Sequence, residues 1–272
     1  MIRDEIERTN ITDHASPVTL MIDTRRAVAE LKAIESIAVM TRVSSTNTVA
    51  QRIVAECVAN DLSLPQAMII AGEQFAGRGR NQRTWSSPAG KGIYATTMLT
   101  RSARDLALIP LEMANIIASF LRERFGIDAR VKWPNDVVAN GRKIAGILIE
   151  ARVQEDRAFL IIGTGVNVEP VSDDDRPNAT SIHELAPDRF HGIEEATLAF
   201  IEHVDTHFAR PLARERVLGD WRSMTVHTPG DRITSIINDR RIQGTWSGID
   251  DEGRALIDDG SVVIAISAGE VF

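Results

Sequence analysis

The chain is nearly devoid of cysteine, poor in aromatics and free of long apolar runs. Its single cysteine, Cys57, has no internal partner, which excludes a disulfide framework of the secreted type and points to a reducing compartment, the cytoplasm. No stretch approaches the ~18 uninterrupted apolar residues that a membrane-spanning helix requires. The first residues, MIRDEIERTN, are charged and lead into no apolar core of signal-peptide type, so neither export by that route nor a membrane anchor is expected. Basic excess is also lacking: 31 Lys and Arg stand against 38 Asp and Glu, a net charge of -7, which argues against broad phosphate-driven binding of nucleic acid. Several catalytic signatures are missing too, among them the G-x-S-x-G elbow, the G-x-x-x-x-G-K-[ST] phosphate loop and the H-E-x-x-H zinc motif.

What remains is an ordinary globular composition, 43% hydrophobic and 25% charged over 272 residues, enough for two unequal domains. Residues 1–38 read as an appendage: ITDHASPVTL is irregular, and RRAVAELKAIESI from Arg25 has the spacing of one amphipathic helix. Residues 39–222 read as a larger domain. Val49, Ile53, Val54, Cys57 and Val58 form a helical stripe, with Ser44, Ser45 or Thr46 available as its cap. MIIAG and GIYATTML read as strands, and LEMANIIASFLRERFG as a helix ending at Gly126. ARVKW, DVVAN, KIAGILIEARV and AFLIIGTGVNV read as further strands, with Asn140-Gly141 turning a hairpin. From Ile193 to about Leu218 one helical pattern returns, with Leu198, Ile201, Val204, Phe208 and Leu212 on the buried face. Residues 223–272 carry short strands between turn residues and predict a small barrel that is marginal unless it docks on its neighbour.

Three segments carry chemistry. In GRGRNQRTW, Gly77 to Trp85, glycines let the backbone approach an anion, while Arg78, Arg80 and Arg83 supply planar charged forks for carboxylate and phosphate oxygens. By composition alone the competing reading of such a loop is a solvated surface. In VKWPNDV, Pro134 stiffens the chain and forces Trp133 extended, so that Asn135 and Asp136 project from a fixed frame. Asp136 suits a magnesium ion on phosphate oxygens, and the Lys143 ammonium suits charge developing on a phosphoryl group; the competing reading is a turn plus a surface lysine. GTGVN, Gly163 to Asn167, lacks the G-x-G-x-x-G spacing; locally it reads as an ordinary tight turn, the other reading being a glycine-bearing strand end that lets a nucleotide approach. His203 and His207 have the spacing of a metal pair but no glutamate between them, so they read as a solvated helix face.

Together, GRGR…RTW and KWPND…KIAGILIE, in this order from about Arg42 to Phe272, closely resemble the biotin protein ligases. The resemblance implies an α+β fold, a central mixed sheet with helices on one side, followed by an SH3-like small barrel. It implies activation of biotin by ATP to biotinyl-AMP, and transfer to a lysine of a biotin carboxyl carrier protein or carboxylase domain. By the same resemblance, Ser45, Thr46, Asn47 and Gln74 belong to the biotin pocket, and Arg78, Gly79 and Arg80 to the loop that closes over biotin and the adenylate phosphate. Trp85 and Asn167 match residues at the adenine site, and Asn135 goes with the nucleotide. Lys143 matches the lysine that reaches the biotin carboxylate and the reacting phosphate, with Asp136 as second catalytic candidate, holding Mg2+, and Arg80 as third. ATP with Mg2+ is thus a co-substrate, with no tightly bound cofactor. Gln82 departs from the family loop, which has glycine there, so a stiffer loop and slower closure are expected. Residues 1–38 are too few for the operator-binding helix-turn-helix domain of some members, so no DNA binding is expected, while a homodimer is compatible with the sequence. The competing activities are a lipoate or octanoate protein ligase of the same fold, whose R-R-x-S-G-G-G segment is missing, and a non-enzymatic adaptor.

Overall fold

The computed structural model of the chain describes residues 31–170, 178–237, 240–267 and 269–271. Seven strands form one mixed sheet: β1 (Ser36–Val43), β2 (Ala67–Gln74), β3 (Gly92–Ser102), β4 (Arg130–Lys132), β5 (Asp136–Ala139), β6 (Arg142–Gln154) and β7 (Arg157–Asn167). Their order is β1-β2-β3-β7-β6-β5-β4; β1 and β2 run parallel and the other neighbours antiparallel. The four longer helices are α1 (Thr46–Ala59), α2 (Ile109–Phe125), α3 (Ile193–Phe208) and α4 (Arg214–Met224). A second sheet holds β8 (Arg232–Ile237), β9 (Arg240–Ile249), β10 (Ala255–Asp258), β11 (Val263–Ile266) and β12 (Glu270–Val271), all antiparallel in the order β11-β10-β9-β8-β12.

Because side chains alternate along a strand, the central sheet sorts its apolar residues into two cores. Met68 and Ile70 of β2 and Leu160 and Ile162 of β7 face one side, where they meet α2, α3 and α4. Ile69 of β2 and Phe159 and Ile161 of β7 face the other, where Ala50, Val54 and Cys57 of α1 cover them. The helices therefore lie on both faces of the sheet, not on one. The strands buried on both sides read as continuous apolar runs for the same reason.

Local signals account for most boundaries. Gly126 takes the left-handed conformation at φ 68° and returns its N–H to the Arg122 carbonyl, closing α2. Asn140 and Gly141, at φ 51° and 74°, make the hairpin between β5 and β6. Ser45 precedes α1 in an extended conformation, but its side chain makes no capping bond.

Two expectations are corrected. Residues 25–30 of the anticipated N-terminal helix lie outside the described residues, and Ser36-Ile37 at its end open strand β1 instead. Three backbone N–H groups just ahead of that strand, on Lys32, Ala33 and Ile34, donate to the buried Asp205 carboxylate of α3 at 2.8 Å each, and bonds spent outward in this way leave no helical ladder. The single helical pattern from Ile193 to Leu218 is two helices, since Pro211 between α3 and α4 removes a donor and stops the first. Its inward residues Ile201, Val204 and Phe208 are buried as expected, together with Phe200.

The small sheet shares the main core. Ile233, Trp246, Ile249 and Ile257 join the same apolar cluster as α2 and α4, and Trp221 of α4 lies 6.2 Å from the Trp246 ring. A sheet of this size gains its stability from that docking.

Candidate active site

A cavity of about 400 Å³ opens beside β6 and β7, and the twelve residues that the resemblance assigns to a ligand site line it. Its floor is made of glycine. Gly163 and Gly165 sit within β7, paired to Thr96 and Tyr94 of β3 and to Leu148 and Gly146 of β6. GTGVN is thus strand, not a tight turn. A Cβ on Gly163 would run into the Asn47 amide and one on Gly165 into the Trp85 indole, while at Gly146 it would stand 2.9 Å from the Trp85 ring. Glycine is needed because side chains from elsewhere lie directly on the strand backbone.

At one end the start of α1 supplies a buried polar cluster. The Thr46 N–H donates to Gln74 Oε1 at 2.9 Å, and Gln74 Nε2 donates to Ser87 Oγ at 2.9 Å. Thr96 Oγ1, fully buried, stands 2.6 Å from Asn47 Oδ1 and 2.7 Å from Thr46 Oγ1. Asn47 Nδ2 donates to Glu150 Oε2 at 2.9 Å. Ser45, Thr46 and Asn47 are each 3% exposed, so a ligand at this end meets oriented polar groups rather than mobile ones.

At the other end, β5 and β6 bring the charges together. Lys143 Nζ is 2.6 Å from Asp136 Oδ1 and 5.3 Å from the Trp85 ring centroid. Both side chains are partly exposed and face the cavity. The Lys143 strand end is fastened by backbone bonds to Asn178 and Thr180, and Asn167 Nδ2 donates to the carbonyls of Lys143 and Thr180. Asn135 is locked by its Nδ2 donating to the Ile147 carbonyl at 2.7 Å while Ile147 N–H donates back to the Asn135 carbonyl. The Trp133–Pro134 peptide is cis.

The glycine-arginine loop arches over the cavity between β2 and β3. Arg78 pairs with Glu150 at 3.1 Å; Arg80 donates to Asn135 Oδ1 at 2.8 Å and to the Gly269 carbonyl at 3.1 Å. Asn81 and Gln82 have φ of 52° and 59°. Gln82 stands where the resembled loop has glycine, and the left-handed backbone there explains that preference and makes glutamine strained.

Sequence reasoning missed several participants. Thr96 and Glu150 hold Asn47, and His227 accepts the Trp133 N–H at 3.2 Å. Thr96 lies in the strand-like run GIYATTML, and a hydroxyl in such a run was the one available clue. His203 is not on a solvated face: it packs against α2, its Nε2 2.9 Å from Ser119 Oγ, and burial followed by the neighbouring His207 pushes its pKa down to about 4. Among the described residues no cluster of three or more His, Cys, Asp or Glu is placed to hold a metal ion.

Comparison with known proteins agrees with this geometry. The model of the biotin/lipoate A/B protein ligase family matches residues 39–167, and that of the biotin protein ligase C-terminal domain matches residues 230–272. The chain is 30% identical over 230 residues to the bifunctional ligase/repressor BirA of Bacillus spizizenii, covering 79% of this chain and 67% of that one. It is 30% identical over 248 residues to the biotin--[acetyl-CoA-carboxylase] ligase of Paracoccus denitrificans, covering 86% and 98%. Its fold matches the biotin protein ligase of Aquifex aeolicus solved with biotin and ATP, with a TM-score of 0.69 at 23% identity over 88% of this chain and 98% of that one. On these matches, the chain belongs to the biotin protein ligase family.

Proposed function

We propose that this ligase joins biotin to AMP at the cavity and then passes the acyl group to a lysine of a biotin carboxyl carrier protein or domain. The carrying observation is one cavity with a buried polar cluster from α1 at one end, Lys143 and Asp136 at the other, and Arg78 and Arg80 in the loop that also lines it. The relatives named above are ligases by name, and a structural neighbour was solved with biotin and ATP.

In the first step a carboxylate oxygen attacks the α-phosphorus of ATP, forming the mixed anhydride while the bond to pyrophosphate breaks. Two anions must meet, and the fixed cations offset their repulsion; a preorganised group of this kind commonly contributes ~3 to 4 kcal/mol. In the second step the neutral lysine amine attacks the anhydride carbonyl, and AMP leaves with the bond electrons as the nitrogen gives up its proton. The loop over the cavity keeps water from the anhydride meanwhile. The buried Ser45–Asn47 cluster holds the biotin ring system, and Trp85, whose Nε1 is buried without a partner among the described residues, lies against the nucleotide base with Asn135 and Asn167. A magnesium ion arriving on the nucleotide would take Asp136 as its one protein carboxylate, a donor set that suits magnesium, and would neutralise phosphate charge. No helix among the described residues is long and apolar enough to cross a membrane, which is compatible with the cytoplasmic placement we infer.

Lys143→Ala tests the assignment. Pyrophosphate release with biotin and ATP is expected to fall a hundredfold or more while the fold survives. A rate within about threefold of wild type, under 1 kcal/mol, removes Lys143 from the chemistry. Replacing biotin by lipoate in the same assay separates the two acyl substrates.

A further inference from the structure

Glu150 joins the two halves of the site through one atom. Its Oε2 accepts from Asn47 Nδ2 at 2.9 Å and from Arg78 Nη2 at 3.1 Å, while Oε1 accepts from Gln51 Nε2 at 2.7 Å. Asn47 and Gln51 stand on α1, Arg78 in the glycine-arginine loop, and Glu150 on β6, so a single carboxylate ties three elements. A second cavity of about 390 Å³ is lined by Arg78 to Gln82 of the loop and by Leu148 and Glu150 of β6. Arg78 and Glu150 both line this hollow, so their ion pair ties the loop to β6 there.

We propose that Glu150 is a positioning residue that sets the resting place of the loop and reports to it whether the Asn47 end of the cavity is filled. The physical basis is competition for Oε2. A ligand that accepts from Asn47 Nδ2 draws that donor away, leaving the oxygen to Arg78 alone and strengthening the charge-assisted bond that holds the loop. Filling the polar end thus tightens the loop before the nucleotide arrives. The identity of that ligand as biotin rests on the function proposed above; the tether itself does not.

The loop carries its own reporter, since trypsin cuts after Arg78, Arg80 and Arg83. Cleavage of the ligand-free chain is followed by mass spectrometry in wild type, Glu150→Gln and Glu150→Asp. The glutamine variant keeps shape and an acceptor but loses the charge facing Arg78. Its loop is expected to be cut about threefold to fivefold faster, the size appropriate to a half-exposed ion pair, with the aspartate variant in between. Faster cutting confined to the loop supports the tether; unchanged loop cutting, or equal acceleration at Arg122 and Arg124 in α2, overturns it. With biotin added, wild-type loop cutting should slow and the glutamine variant should lose most of that protection, with KM for biotin rising more than kcat falls. Protection that survives in the variant overturns the reporting role. If wild type releases no pyrophosphate with biotin and ATP, the proposed function fails, while the ligand-free cleavage result still decides the tether.

Discussion

Replacing His227 with phenylalanine should weaken the protein at neutral pH and make it less sensitive to acid. His227 is buried, stacks on Trp246 with centroids 4.4 Å apart, and accepts the Trp133 N–H through Nε2. An accepting Nε2 places the proton of the neutral ring on Nδ1, and a doubly protonated ring can no longer accept. Burial, and then the charge of Lys132, push the pKa from 6.5 down to about 4, with Asp231 opposing. Because the folded value is depressed, the unfolded chain binds more protons between these values. The stabilisation is complete above about pH 6.5 and is lost progressively as pH falls toward 4.

At pH 5 the proton-binding terms of the unfolded and folded imidazole differ by a factor of about 30, or about 2 kcal/mol; at pH 7.5 the difference is close to zero. Phenylalanine keeps the stack and the bulk but leaves the Trp133 N–H buried without an acceptor, a cost of about 1 to 3 kcal/mol. Urea unfolding at pH 7.5 and 5.0 reads both effects. The variant should be less stable at the higher pH, and its loss of stability between the two should be smaller than wild type's by about 2 kcal/mol. His203, also depressed to about 4, titrates in both proteins and cancels in the comparison. Equal losses in the two proteins would refute the assignment of a neutral, accepting His227.

Two further outcomes follow from close packing elsewhere. Gly165→Ala places a methyl group into the Trp85 indole, so the ring must leave the cavity floor; overpacking of this kind costs about 1 to 3 kcal/mol, and titration calorimetry should show ATP binding weakened tenfold or more with the fold retained. Unchanged ATP affinity would mean that Trp85 does not contact the nucleotide. Asp205→Ala leaves the N–H groups of Lys32, Ala33 and Ile34 without their acceptor, so stability should drop by about 2 to 4 kcal/mol, with β1 amides losing hydrogen-exchange protection ahead of β3.

The residues that line the cavity were legible because they sit in two short runs, GRGR…RTW and KWPND…KIAGILIE, whose charged groups suit anions and whose joint occurrence carried the resemblance that either run alone left open. The positions that hold them were not legible, since their partners are distant in the chain. Trp133 meets His227 94 residues away, and Asn47 meets Glu150 103 residues away. Gly163 and Gly165 looked like a turn because a glycine selected for a loop and one selected to admit a side chain from another element are identical in local sequence. Strand β1 was lost for a related reason: its edge position, and the bonds of Lys32, Ala33 and Ile34 just ahead of it to Asp205 of α3, come from tertiary contacts, which override a weak helical periodicity.

The same distance argument bears on the small C-terminal sheet. Trp133, next to the Asn135-Asp136 pair, donates its indole N–H to the Gly253 carbonyl at 3.1 Å and its backbone N–H to His227, which enters β8. Arg80 reaches the Gly269 carbonyl. Two of the three chemical segments are thus held from behind by backbone or imidazole groups of the C-terminal part. A buried hydrogen bond of this kind fixes direction as well as contributing stability, and a carboxylate aimed a fraction of an ångström wrongly loses much of its effect on a phosphoryl group. The sheet gains its stability by docking on α2 and α4, and the docked sheet in turn aims the KWPND segment. Docking of the C-terminal part and the direction of the KWPND segment therefore share the same hydrogen bonds, and loosening those bonds should lower kcat before the fold itself is lost.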